Sequence, residues 1–274
     1  MRLTFWGTRG AITSPGPAKF RYGANTACVS FHSGEQMLIL DAGIGIIPLS
    51  ERIMAARKPR EKLDLHLILS HLHWDHVIGL PFFTPVFFPS TQLDIYGRRA
   101  EEIALATDRL FTSTYSPIKG TANLGATLNY RTIETAASDV GGFKVTPCNL
   151  RHPGGALAFR IEADDQVVVY ASDHEFGDQT SDELVTELAR GAQVLIHDAQ
   201  WTRSECKSFS GYGHSSWEGA VTNALQAGVK TLVLFHHHPH HDDETLDEMG
   251  RCAAERAGDR LEVLVARDGL LLDP

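Results

Sequence analysis

The chain has 274 residues, 43% hydrophobic and 22% charged, with 24 Gly and 12 Pro. This is ordinary globular composition and excludes a disordered or fibrous chain. Thirty-four acidic against 25 basic residues give a formal net charge of −9, which argues against a broad nucleic-acid-binding face but leaves room for a small anion held by metal. Four scattered cysteines form no C-x-x-C pair, so neither a disulfide framework nor a cysteine zinc site is indicated, and free thiols fit a reducing cytoplasm. Met1–Gly10 lacks the charged-then-apolar order of a signal peptide, and no apolar run approaches the ~20 residues of a membrane span. A cytoplasmic protein without a membrane partner is expected.

Arg2–Trp6 reads as a first strand, followed by a long Gly/Pro loop from Gly7 to Asn25. Thr26–His32 and Gln36–Leu40 read as strands joined by a hairpin at Ser33-Gly34-Glu35. Pro48–Arg57 has a helical pattern, Leu65–Leu69 reads as a buried strand, Leu93–Tyr96 as another, and Arg99–Phe111 as a helix. Leu128–Ile133, Phe143–Pro147, Leu157–Ile161 and Val167–Tyr170 read as strands, the last two joined by Glu162-Ala163-Asp164-Asp165. Ser181–Arg190, Ser215–Ala227 and Asp242–Ala257 read as helices between the strands Val194–His197, Lys230–Phe235, Leu261–Val265 and Gly269–Leu272. The result is an α/β chain with two β-rich halves, each with helices on one side. No linker or low-complexity stretch separates them, so residues 1–274 read as a single domain, and no internal repeat is evident.

The unusual count is 14 histidines, several standing where a β-branched run ends. Ser70-His71-Leu72-His73-Trp74-Asp75-His76 directly follows the strand Leu65–Leu69. A turn between the strand end and a short helix can aim two of these side chains at one ion and two at another. Imidazoles with carboxylates suit Zn²⁺, with iron or manganese as alternatives.

These residues resemble the metallo-β-lactamase superfamily, and the resemblance runs through almost the whole chain. Leu38-Ile39-Leu40-Asp41-Ala42-Gly43 resembles its first motif. His71, His73, Asp75 and His76 match the second, His152 the third, Asp173 the fourth and His236 the fifth, in the family's order. The resemblance implies a four-layer αββα sandwich with two divalent metal ions at one edge of the sheets. One ion would be held by His71, His73 and His152, and the other by Asp75, His76 and His236. Asp173 would bridge them together with a hydroxide. Asp41 would orient the ligand loop rather than touch metal. His174, Glu175 and Asp178 compete with Asp173, and His237 and His238 with His236. His237, His238, His240 and His241 are expected in a solvated loop near the mouth. His32 and His66 are expected to be structural or surface residues. His197 stands at the same strand edge and is a candidate for substrate contact, as are Arg9, Arg21 and Tyr22 of the Gly/Pro loop.

Within the superfamily, His73 differs from the Glu common in flavodiiron proteins, and Asp173 from the Cys of many true β-lactamases. The pattern resembles the phosphodiesterase branch: ribonuclease Z, phosphonate-pathway cyclic phosphodiesterases and class II-like cyclic-nucleotide phosphodiesterases. Gly7-Thr8-Arg9-Gly10, Pro15-Gly16-Pro17 and Arg21-Tyr22-Gly23-Ala24-Asn25-Thr26 resemble the last of these. Gly213-His214-Ser215-Ser216-Trp217-Glu218 precedes a helix, with Ser215 and Glu218 at capping-box spacing. His214 then stands where helix N–H groups favour an anion; by resemblance it is the general acid, and the alternative is a plain polar residue before a cap. Ribonuclease Z carries a long tRNA-gripping arm between its third and fourth motifs, whereas here His152 and Asp173 are only 21 residues apart, so no tRNA partner is expected.

The resulting expectation is a phosphodiesterase for a small cyclic phosphodiester, a cyclic nucleotide or a sugar cyclic phosphate. A metal-bridging hydroxide would attack, oriented by Asp75. A thioester or lactone hydrolase is the alternative enzyme, and a non-catalytic cyclic-nucleotide-binding regulator the alternative of another class. Leu80–Pro89, apolar and broken by three prolines, reads as core packing, an apolar wall or a homodimer surface. Phe111–Ile118 and Phe209–Tyr212 are candidates for flaps.

Overall fold

In the computed structural model of the chain, which describes residues 1–58 and 61–274, alternation along the strands decides which faces meet. In β1 (Arg2–Gly7) and β2 (Cys28–Ser33), Leu3, Phe5, Val29 and Phe31 share one buried face. In β8 (Phe143–Leu150) and β9 (Ala156–Ala163), Phe143, Val145, Phe159 and Ile161 do the same. These two faces pack on each other in one apolar core.

The first sheet runs β14-β1-β2-β3-β4-β5-β6 and the second β13-β12-β11-β10-β9-β8-β7. The remaining strands of the first are β3 (Gln36–Leu40), β4 (Leu63–Ile68), β5 (Thr91–Gly97), β6 (Thr127–Thr132) and the short returning β14 (Leu271–Leu272). Those of the second are β7 (Ser138–Val140), β10 (Gln166–Ala171), β11 (Val194–Asp198), β12 (Thr231–Phe235) and β13 (Glu262–Val265). Each sheet has three antiparallel pairings on one side and three parallel ones on the other. The structure therefore contains a repeat that the sequence does not show.

Helices cover both outer faces. Under α1 (Ile46–Ala56) and α3 (Ala100–Leu110) lies a core built on Ile39, Leu67 and Ile95. The other outer core, under α4 (Gln179–Ala189), α6 (Trp217–Ala227) and α7 (Asp243–Ala257), is built on Val169, Leu195 and Leu232. Three cores between four layers make the αββα sandwich. The expected strands and long helices are present, with ends moved by a few residues. The β9–β10 turn is two residues long, Asp164 and Asp165, both at positive φ as a tight primed hairpin turn requires. The short helix expected after the β4 turn is α2 (Trp74–Val77); not expected from the sequence were β7 and α5 (Arg203–Ser208).

Caps set the helix starts. Asp178 accepts from the Ser181 N–H at 3.0 Å and Asp242 from the Thr245 N–H at 2.8 Å, each worth about 1 kcal/mol. The capping box expected at Ser215 and Glu218 does not form. Ser215 donates its hydroxyl to the His174 carbonyl, and Ser216 caps α6 instead. A capping box does form at Thr202 and Glu205, at the start of α5. Among the described residues no helix is long and apolar enough to cross a membrane.

Candidate metal centre

Parallel strands all end on one side of their sheet, and ligand sites in α/β proteins sit there. The ends of β3 and β4 carry Asp41 and the 70–76 loop; the ends of β10, β11 and β12 carry Asp173, Asp198 and His236. His152, two residues after β8, joins them. Packing the sheets face to face brings both sets of loops to a common edge.

His71, His73 and His152 offer ligand atoms within 4.8 Å of one another, and so do Asp75, His76 and His236. Asp173 stands between the two groups. Its carboxylate lies 3.8 Å from His71 Nε2, 3.2 Å from His76 Nε2 and 3.5 Å from His236 Nε2. The structure thus brings together all seven residues expected to hold metal.

Their hydrogen bonds fit a metal. His76 donates Nδ1–H to Asp41 at 2.8 Å, and His152 donates Nδ1–H to the Gly213 carbonyl at 2.9 Å. With those protons committed, the neutral form of each ring turns an Nε2 lone pair toward the cluster. His76 Nε2 meets His236 Nε2 at 3.2 Å, and His152 Nε2 meets His73 Nδ1 at 3.0 Å. His71 Nε2 is buried without a hydrogen-bond partner. Ring nitrogens at such distances share a proton or hold a cation between them, and nitrogen with carboxylate oxygen suits a divalent transition ion.

Burial pushes the pKa values of His71, His73 and His152 down, which keeps them neutral and ready to ligate. At His76 burial acts the same way, but Asp173, Asp41 and Asp75 outweigh it and hold the imidazole above its ordinary range. Burial pushes the Asp75 carboxyl up, and His76 and His236 more than reverse it, so Asp75 is held well below the carboxylate range. Asp173 is likewise held low, burial being outweighed by His236, His76 and His71.

Asp41 anchors the ligand loop. It accepts from the Ser70 N–H at 2.8 Å, the Ser70 hydroxyl and the Tyr170 hydroxyl at 2.7 Å. Tyr170 reaches it from the core between the sheets. The Ala11 N–H donates to Asp75 at 2.6 Å, so the Gly/Pro loop closes one side. A Cβ on Gly10 would fall 2.3 Å from the His236 ring, so only glycine fits there.

Asp198 was not foreseen. It accepts from His214 Nδ1–H at 2.7 Å and from the backbone N–H groups of Gln200 and Ser215. Burial lowers the His214 pKa, but the charge and hydrogen bond of Asp198 outweigh it and raise the pKa overall. Asp198, His214, Asp173 and His236 form a further close donor group. The His214 ring stacks 5.0 Å from that of His236.

Four expected contacts are not brought to the cluster. His197 precedes Asp198 on β11, so their side chains point to opposite faces. His197 meets Asn223 at 3.1 Å, and burial pushes its pKa down to about 4. Arg9 is buried and clamps the carbonyls of Gly23, His238 and His241. Arg21 and Tyr22 both bind Asp247 of α7. Nor are the late histidines a solvated loop. His237 is buried and donates to the Ala266 carbonyl at 2.8 Å. His241 is buried against Glu205, and only His240 of this run is exposed.

The apolar stretch after the ligand loop divides. Leu80, Phe83 and Val86 enter the core, whereas Phe82 and Phe87 line a cleft of about 910 Å³ with Leu72 and Trp74.

Residues 36–237 match the family described as beta-lactamase superfamily domain. The chain belongs to that superfamily. Among its relatives, ribonuclease Z of Bacillus velezensis is 27% identical, the match covering 86% of this chain and 87% of that protein. The metallo-beta-lactamase fold protein YhfI of Bacillus subtilis superposes with a TM-score of 0.72 at 24% identity, over 100% of this chain and 99% of that one. A diphosphatase of the PhnP family superposes at 0.70 with 17% identity, over 100% and 97%. The superfamily, and with it the four-layer sandwich, is the one the five motifs imply.

Proposed function

We propose that this superfamily member is a metal-dependent phosphodiester hydrolase, and that its substrate is a small cyclic phosphodiester, a cyclic nucleotide or a sugar cyclic phosphate. The observation that carries the reading is the His214–Asp198 pair beside the cluster. A thioester expels a thiolate, which needs little proton assistance. A phosphodiester expels an alkoxide, which does need it.

Two divalent ions, zinc in the first instance, would be held by His71, His73 and His152 and by Asp75, His76 and His236, with Asp173 between them; when bound they acidify water and neutralise phosphate oxygens. Asp75, fixed by the Ala11 N–H, orients the attacking water. Asp198 fixes the His214 ring and stabilises its charged form. Nε2–H is left to protonate the departing alkoxide.

The relatives named ribonuclease Z raise RNA as a substrate. Against it stand the net charge of −9 and the interval between His152 and Asp173, which β9, β10 and their turn fill.

Turnover of bis(p-nitrophenyl) phosphate and 3′,5′-cyclic AMP, set against a thioester panel and a tRNA precursor, tests this reading. Wild type should hold about two ions per chain, hydrolyse the phosphodiesters and lose activity to chelator. His214→Ala should lower kcat on cyclic AMP by ~10²–10⁴-fold at unchanged metal content. The loss should be far smaller on bis(p-nitrophenyl) phosphate, because nitrophenolate leaves without a proton. Thioester turnover without phosphodiester turnover would overturn the proposal, and loss of an ion from His214→Ala would make that residue a ligand.

A further inference from the structure

The turn that precedes His214 is more tightly built than a surface loop requires. Glu175 is a buried carboxylate, and it accepts from the Gly211 and Gly213 N–H groups, both at 2.9 Å. Arg151 lies 3.4 Å from the same carboxylate. Both glycines have φ near +90°, and a Cβ on Gly213 would fall 2.2 Å from the His152 ring. The turn is therefore held at both ends of Tyr212, and its Gly213 carbonyl holds His152.

On this pinned turn stand two exposed aromatic rings. Tyr212 is 63% exposed and Phe209 38%. Beneath them Trp201 is buried, stacked parallel to Phe209 at 4.6 Å and set edge-on to His214 at 6.3 Å. Tyr212 and Phe209 meet nearly at right angles, with centroids 5.7 Å apart and planes at 84°. A ring free to fold inward would bury its face. Tyr212 is instead kept outward, two residues from the proposed acid, by hydrogen bonds that leave its own side chain uncommitted.

We infer that Tyr212 and Phe209 form a stacking corner for a planar ring on the leaving-group arm, so that the substrate is a nucleotide rather than an aliphatic or sugar phosphodiester. The inference rests on the proposed role of His214, which fixes the side on which the leaving group lies. A nucleobase stacks on the Tyr212 face and presents its edge to Phe209. A puckered sugar offers no flat face to the first ring and no aromatic edge to the second.

The test compares wild type, Tyr212→Ala and Tyr212→Phe on 3′,5′-cyclic AMP and on glycerol 1,2-cyclic phosphate, with calorimetric binding of AMP to the metal-loaded proteins. Tyr212→Ala should raise KM for cyclic AMP and Kd for AMP by roughly 5- to 100-fold, the range expected for one base stacked on one aromatic ring. Tyr212→Phe should stay near wild type, and kinetics on the glycerol compound should not change in either variant. Equal losses on both substrates would show that the turn only supports the fold, which overturns the corner. Wild type preferring the glycerol compound, with Tyr212→Ala silent on cyclic AMP, would overturn the corner and leave the phosphodiesterase reading standing. If wild type hydrolyses neither compound but binds AMP through Tyr212, the activity reading fails and the corner stands. If it neither hydrolyses the compounds nor binds AMP, both fail.

Discussion

Two segments of this chain are crowded with histidine, and they are built on different rules. In the 71–76 loop His71, His73 and His76 all reach the cluster, with Asp75. In the 236–241 run only His236 does. The difference lies in the backbone. The first segment leaves β4 and enters the one-turn helix α2, which gathers side chains on one side. The second leaves β12 with His236 at φ +62°, a conformation that costs a non-glycine residue about 1 kcal/mol or more and needs surrounding support. That bend turns His236 into the site and His237 away from it. The rest of the run is held by backbone, since Arg9 takes the carbonyls of His238 and His241. Residue type marks where metal can bind, and backbone conformation selects which residues bind it.

The strongest attack on this contrast is through Asp173, which touches both segments. It is buried between His71, His76 and His236. Asp173→Ala should remove at least one ion per chain by elemental analysis and reduce phosphodiester turnover to background. Retention of two ions and measurable turnover would mean that the two segments assemble the site without it.

A finer test separates neighbours. His236→Ala removes a donor from the Asp75–His76–His236 group and should cost an ion, with a small effect on the folding stability of the metal-free protein. His237→Ala leaves the Ala266 carbonyl without its donor in a buried place and opens a cavity. That combination should cost roughly 2–4 kcal/mol in denaturant unfolding, with metal content unchanged. If both variants lost metal equally, the bend at His236 would not be what selects the ligand.

The same contrast explains what could be read from the sequence. The 71–76 loop was legible because its donors are contiguous and follow a strand. The two β-rich halves were legible from the order of strands and helices, and the four layers from the family resemblance. The pairing order, the repeat of three antiparallel and three parallel pairings, and β7 were not, since strand order leaves no local pattern. At β11 the histidine drew attention and the aspartate beside it was passed over. Alternation says that only one of them can face the site, but it does not say which until the helices covering the sheet are known. At the start of α6, Ser215 stands at capping-box spacing from Glu218, yet Ser216 makes the cap. The choice is made by the His174 carbonyl, which is 41 residues away and takes the Ser215 hydroxyl.

The smallest expected effect is at His240, and it is informative because it is small. His240 lies within four residues of His236 and would be grouped with it by any count of histidines. Its side chain is exposed, and its nearest ring is that of His238, edge-on at 5.0 Å. Its backbone N–H donates to His238 Nδ1 at 3.3 Å, and this bond survives truncation of the side chain. His240→Ala should therefore leave metal content and kcat within about twofold of wild type, and stability within about 0.5 kcal/mol, as at an ordinary surface position. A loss of metal or a tenfold fall in kcat would mean that the late histidines act together at the mouth of the site. The division drawn at the bend of His236 would then have to be moved to the far side of His240.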